Sequence, residues 1–135
     1  MNELKKIRRD LYFTDGHEWI DFQGSVAYIG VSSFKLKGIK EIHKVFVTEN
    51  LGSKKRGERI ATIQFEDYQV PVHIPVDGKV ISFNDLILGN QKNLILEEPE
   101  NHGWVALIVP SVLYERKGLL HPEEYKRFIA KKNKN

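Results

Sequence analysis

The sequence predicts a mainly β fold, an open barrel or sandwich of many short strands with small helices outside it. Three observations carry that expectation. Apolar and polar residues alternate in short segments along most of the chain. Turns bearing glycine or proline separate those segments. The clearest helical signal is confined to the C-terminal end. At 135 residues, 41% hydrophobic and 29% charged, the chain has the size and composition of one domain around one core.

The elements follow in order. "GSVAYIGV" (Gly24–Val31) alternates Val26 and Tyr28 with Ala27, Ile29 and Val31, as a strand of a small β core does. "VFVTE" (Val45–Glu49) reads as a second strand, followed by the polar turn "NLGSKKRGE" with its two glycines. "RIATIQF" and "QVPVHI" form a hairpin around the polar tip "EDYQ" (Glu66–Gln69). Pro71 lacks a ladder donor, so it places its strand at an edge or a bulge. "PVDG" (Pro75–Gly78) is a turn, because Pro presets φ and Asp-Gly tolerates positive φ. "KVISFN" and "WVALIVP" (Trp104–Pro110) complete the strand set.

Helices are expected at the margins. "SSFKLKGIKE" (Ser32–Glu41) suits a short helical turn capped by Ser32 or Ser33 and broken at Gly38. "NQKNLILEEP" (Asn90–Pro99) spaces Leu94 and Ile95 for another. In "HPEEYKRFIAKK", Pro122 fits the first helical position. Glu123 and Glu124 suit the N-terminal end of the dipole, and Lys131 and Lys132 its C-terminal end. Leu120, Tyr125 and Phe128 are the residues that would dock this helix. Trp19, Phe22, Tyr28, Phe46 and Trp104 read as core. "GSVAYIG" and "GKVISFN", about fifty residues apart, both open Gly-x-Val, the pattern of two similar half-sheets packed face to face.

Composition excludes several functions. There are no cysteines, which removes disulfides, thiolate metal sites and a Cys nucleophile. No apolar run approaches the ~18 residues that span a bilayer. "MNELKKIRRD" has charge but no apolar core, so a secretory signal is not expected and the reading is cytoplasmic. The formal charge is +3, yet residues 1–10 and 116–135 hold 11 of the 21 Lys and Arg and only 4 of the 18 Asp and Glu. The centre is therefore mildly acidic, and a nucleic-acid partner is not expected from it. Lys54, Lys55, Arg56 and Arg59 form the one internal basic cluster and read as a solvated loop.

Candidate chemistry is sparse. His17, His43, His73, His102 and His121 show no paired spacing on one helical face, so no metal site is expected. The carboxylate pairs Glu66-Asp67 and Glu97-Glu98 read as solvated rather than as an acid–base pair in an apolar cleft. No nucleophile elbow and no phosphate loop occurs. The residues point to a protein that is not an enzyme.

Five motifs in collinear order do carry a resemblance. "YFTDGHEWI" (Tyr12–Ile20) resembles the Tyr-Thr-x-x-His-Glu-Trp strand of the glycine cleavage system H-protein family. "VAYIGVSSF", "VFVTENLGSKKRGE", "IPVDGKV" and "NLILEEPENHGWVALI" resemble its later segments, so the likeness covers about residues 11–130. It implies a barrel-sandwich hybrid of two small antiparallel sheets, related to lipoyl and biotinyl carrier domains, with a C-terminal helix. Residues 1–10 and 131–135 are then basic tails. It also implies a non-catalytic carrier that bears lipoate on a lysine at a hairpin tip, shuttling an aminomethyl group between the glycine cleavage enzymes.

The family lysine stands eleven residues before the glycine of Ala-Pro-Val-Ser-Gly. Counted back from Gly78, that position is Asp67 and the upstream acidic recognition position is Gln64. No lysine lies between Lys55 and Lys79. The segment "KLKGIKEIHK" is also longer and richer in lysine than the family's Leu-Gly-Asp stretch. The resemblance thus implies a binding or regulatory module without lipoate, with Glu66, Asp67 and Tyr68 as a partner-facing tip. Its partners are expected among glycine cleavage or lipoate-handling proteins. The alternatives are a working H protein with lipoate on another lysine, and a β-barrel that binds nucleic acid through basic tails.

Overall fold

A computed structural model describes residues 9–48, 51–113 and 115–133. The strands are β1 (Leu11–Phe13), β2 (Glu18–Gln23), β3 (Val26–Val31), β4 (Lys44–Val47), β5 (Gly52–Lys54), β6 (Arg59–Phe65), β7 (Tyr68–His73), β8 (Gly78–Phe83) and β9 (Ala106–Pro110). Two short helices, α1 (Asp85–Leu88) and α2 (Leu94–Glu97), precede β9, and α3 (Pro122–Asn133) follows it. A six-stranded antiparallel sheet runs β1-β2-β3-β9-β8-β5, and a three-stranded one runs β4-β6-β7. This is the expected mainly β, two-sheet barrel-sandwich arrangement with a C-terminal helix.

The two sheets share one core. Ile20, Ile29, Val80 and Ile108 from the larger sheet pack in one cluster with Val45, Ile60, Ile63 and Val72 from the smaller. A fully buried aliphatic side chain contributes about 1.5–3 kcal/mol, so this shared interior holds the sheets face to face. Pro71 behaves as its chemistry requires, because β7 is an edge strand. A second cluster of Phe13, Trp19 and Tyr125, with Leu120 and Phe128 against it, docks α3. Phe13 and Tyr125 stack there with centroids 4.2 Å apart.

Several sequence expectations change. "YFTDGHEWI" is not one strand: β1 and β2 pair as a hairpin through Phe13 and Trp19. Within Ser32–Glu41 the short helical turn takes the form of successive i→i+3 turns over residues 33–38 and goes no further. Ser32 Oγ does accept the Phe34 amide as a cap, and Gly38 at φ 86 ends the run. "NLGSKKRGE" contains β5, which has no apolar alternation to announce it. α1 follows Asn84, whose side chain accepts from the Leu86 amide. Phe46 is 41% exposed, because its side of β4 faces away from the core. The two Gly-x-Val segments are β3 and β8, which flank β9 in the same sheet, so they are not two facing half-sheets. Lys131 lies within α3.

Gly30 shows how tightly the frame is packed. It pairs with Trp19 across β2 and β3, and a Cβ built on it would sit 2.7 Å from the indole. Gly30→Ala is expected to destabilise the fold by about 1–3 kcal/mol, the usual result of overpacking. Thermal unfolding followed by circular dichroism reads this as a Tm lower by several degrees; an unchanged Tm would refute the packing argument.

Candidate functional site: a hairpin tip on a buried clamp

The β6–β7 ladder ends at the pair Phe65 and Tyr68, leaving Glu66 and Asp67 as a two-residue turn. Tyr68 and Gln69 therefore belong to the strand and not to the turn. Glu66 has φ 51, a conformation that short hairpin turns usually assign to Gly or Asn. Glu66, Asp67 and Tyr68 are all exposed. Tyr68, 63% exposed, stacks on Phe65 at 5.4 Å between ring centroids. Gln64 is half-buried and pairs with Lys44 in register. The four residues singled out from the sequence, Gln64, Glu66, Asp67 and Tyr68, thus stand together at one end of the hairpin.

His43 also belongs to this end, and nothing in the sequence pattern singled it out. Its backbone N–H donates to Gln64 O at 2.8 Å, extending the β4–β6 ladder toward the turn. Its Nδ1 accepts the Glu66 amide N–H at 3.2 Å. The lysine-rich segment before β4 therefore ends against the tip.

At the other end of β7 the hairpin is clamped to the larger sheet. Glu18 on β2 is 3% exposed. Its carboxylate accepts from Thr14 Oγ1 at 2.9 Å, from Lys35 Nζ at 2.9 Å, and from both the backbone N–H and Nδ1 of His73 at 3.0 and 2.9 Å. Lys35 also donates to Pro71 O at 2.8 Å. Burial by itself would raise the Glu18 pKa, but the Lys35 ammonium and the hydrogen bonds from Lys35 and His73 outweigh it and hold the carboxyl below its ordinary range. His17, at φ 69, places Nδ1 2.8 Å from the Tyr125 hydroxyl. Ser32 Oγ lies 2.6 Å from the same hydroxyl. Burial raises the Tyr125 pKa against the Ser32 hydrogen bond, with the Glu100 and Glu18 charges adding to the rise. The phenol stays protonated and serves to anchor α3.

The remaining candidates stay apart from the tip. Arg56 in the basic cluster donates through its guanidinium to Lys117 O and Gly118 O, and its amide donates to Asp77. Glu98 pairs with His102 on the surface. Among the described residues no group of three or more His, Cys, Asp or Glu is placed to hold a metal ion, and no helix is long and apolar enough to cross a membrane.

This frame matches one family over almost its whole length. The sequence profile of the glycine cleavage H-protein family fits residues 11–132. The chain belongs to that family. A probable glycine cleavage system H protein from Aeropyrum pernix is 30% identical over 126 residues, covering 93% of this chain and 87% of the relative. The glycine cleavage system H protein of Halothermothrix orenii is 29% identical over 123 residues, covering 91% and 95%. In fold, the crystal structure of an H protein from Mycobacterium marinum superposes with a TM-score of 0.76 at 21% identity, covering 96% of this chain and 100% of that one. H proteins are carriers without catalytic activity of their own, and they work with the enzymes of the glycine cleavage system.

Two substitutions test the geometry. Glu18→Gln breaks a buried ion pair and is expected to cost about 3 kcal/mol, the low end for such a change because Lys35 keeps some solvent access. The Glu18 carboxyl has a depressed folded pKa, so its stabilisation is complete above the unfolded value of about 4.3 and is lost as pH falls through the folded value. Denaturant melts from pH 7 downward should show that acid loss in the wild type and lack its Glu18 component in Glu18→Gln. Glu66→Asn should relieve the left-handed backbone cost of about 1 kcal/mol. A lower unfolding midpoint in this variant would show that the turn is not strained.

Proposed function

We propose that this H-protein-family member is a non-catalytic binding or regulatory module that carries no lipoate. The observation that carries the reading is Asp67, the second residue of the two-residue turn at the hairpin tip, at the position where the family resemblance puts the acceptor lysine. A lysine is required there because its amine forms the amide to lipoate, and its flexible stem supplies reach. A carboxylate cannot form that bond. Gln64 at the upstream recognition position and the absence of any lysine between Lys55 and Lys79 point the same way. The family frame, with Tyr68 and the acidic turn exposed, then serves recognition of glycine cleavage or lipoate-handling proteins. An exposed aromatic on a rigid strand end is a good anchor for such a contact.

A second reading is a working aminomethyl carrier with lipoate on another lysine. The whole-length match to relatives named as H proteins favours it. Lys44, exposed and paired with Gln64, is a lysine that the ladder brings to the hairpin.

Intact mass spectrometry of the protein purified from its native cells separates the two. The first reading expects no lipoyl adduct; an adduct located on any lysine by peptide mapping would establish the second in its place. A gain-of-function variant adds a positive control. Gln64→Glu with Asp67→Lys is expected to accept lipoate from a lipoate ligase in vitro, while the wild type stays unmodified under the same conditions. Failure of a correctly folded double variant would mean that more than the lysine separates this tip from a carrier's.

A further inference from the structure

The bond between His43 and the tip has a direction, and the direction makes it sensitive to protonation. The Glu66 amide is the donor, so His43 Nδ1 must present a lone pair. A neutral imidazole can do this with its proton on Nε2. A protonated imidazole carries hydrogens on both nitrogens and cannot accept. The partner is a backbone N–H, which cannot reverse its role. The His43 main chain is held in place independently, because its backbone N–H is bonded to Gln64 O.

We propose that His43 is a pH-operated latch on the hairpin tip: neutral, it holds the Glu66–Asp67 turn through the Glu66 amide; protonated, it releases that turn.

His73, at the other end of β7, responds in the opposite sense. Its Nδ1 faces the Glu18 carboxylate, an acceptor only, so the ring donates there whether neutral or protonated, and protonation adds charge attraction. Acid therefore loosens the top of the hairpin while its base stays clamped. The ionisable residues around His43 are Glu41 of its own segment, Lys44 on β4, Glu66 on the tip, and Lys92 and Glu97 from the α1–α2 stretch. Glu41, Lys92 and Glu97 line with it an open polar groove of about 690 Å³. Release removes one bond that offsets the left-handed backbone of Glu66, so the turn has reason to move.

The test is an NMR pH titration of the full chain between pH 8 and 5, following the His43 ring and the Glu66 amide together. The Glu66 amide proton is expected to move toward its unstructured position with the same midpoint as the His43 ring. After correction for intrinsic rates, its exchange should speed up about fivefold, the loss of one net hydrogen bond of about 1 kcal/mol. His43→Asn places an uncharged acceptor near the Nδ1 position and should hold the docked shift throughout. His43→Ala should show the released shift even at pH 8. A wild-type Glu66 amide that ignores the His43 titration, or a His43→Ala tip indistinguishable from the wild type at pH 8, would overturn the latch. Loss of fold in either variant leaves the wild-type titration to decide.

Discussion

Glu18 puts a full negative charge between the two sheets, and much of the architecture around the hairpin answers to it. Removing a carboxylate from water costs several kcal/mol even after relaxation. That cost is offset here by four donors from three separate segments: the Thr14 hydroxyl, the Lys35 ammonium, and the amide and ring of His73. The consequence is topological. β2 lies in the six-stranded sheet and His73 in the three-stranded one, so the charge joins sheets that hydrogen bonds of the ladder do not. Lys35 extends the same tie to Pro71 O. An edge strand exposes acceptors that another chain could pair with, and here one is occupied by a lysine beside a proline that offers no donor.

The hairpin is thus held firmly at its base and lightly at its tip. From Ile63 and Val72, which are fully buried, to the exposed turn, the support falls from core packing to the Phe65–Tyr68 ring contact and the amide–imidazole bond to His43. Stability gradients of this kind are where proteins place surfaces that must be presented or moved. The frame itself depends on the shared core, the Glu18 clamp and the α3 anchor, all of them away from the exposed turn.

Much of this was legible in the residues. The strand set, the edge position of Pro71 and the C-terminal helix followed from period-2 alternation, the missing proline donor and the charge order of "HPEEYKRFIAKK". The hairpin followed from two apolar runs around "EDYQ", of which Glu66 and Asp67 form the turn. What escaped the reading escaped for identifiable reasons. β5 is three residues of Gly, Ser and Lys, ordered by its partner β8 and not by any pattern of its own. α1 spans one turn and is set by the Asn84 cap, a signal too short to stand out. Phe46 looked like core because hydrophobicity does not say which side of a strand faces inward when both carry large residues.

The sequence by itself determined the family, the β architecture and the absence of a lysine at the hairpin tip, because these reside in local alternation, turn chemistry and linear spacing. Only the tertiary structure decided that His17-Glu18 is more than a polar pair before a tryptophan. Glu18 gains its role from Lys35 and His73, 17 and 55 residues away, and His43 gains its role from a turn 23 residues on. Charge pairing and hydrogen bonding act through distance in space, and the pairing of strands sets that distance where sequence separation cannot.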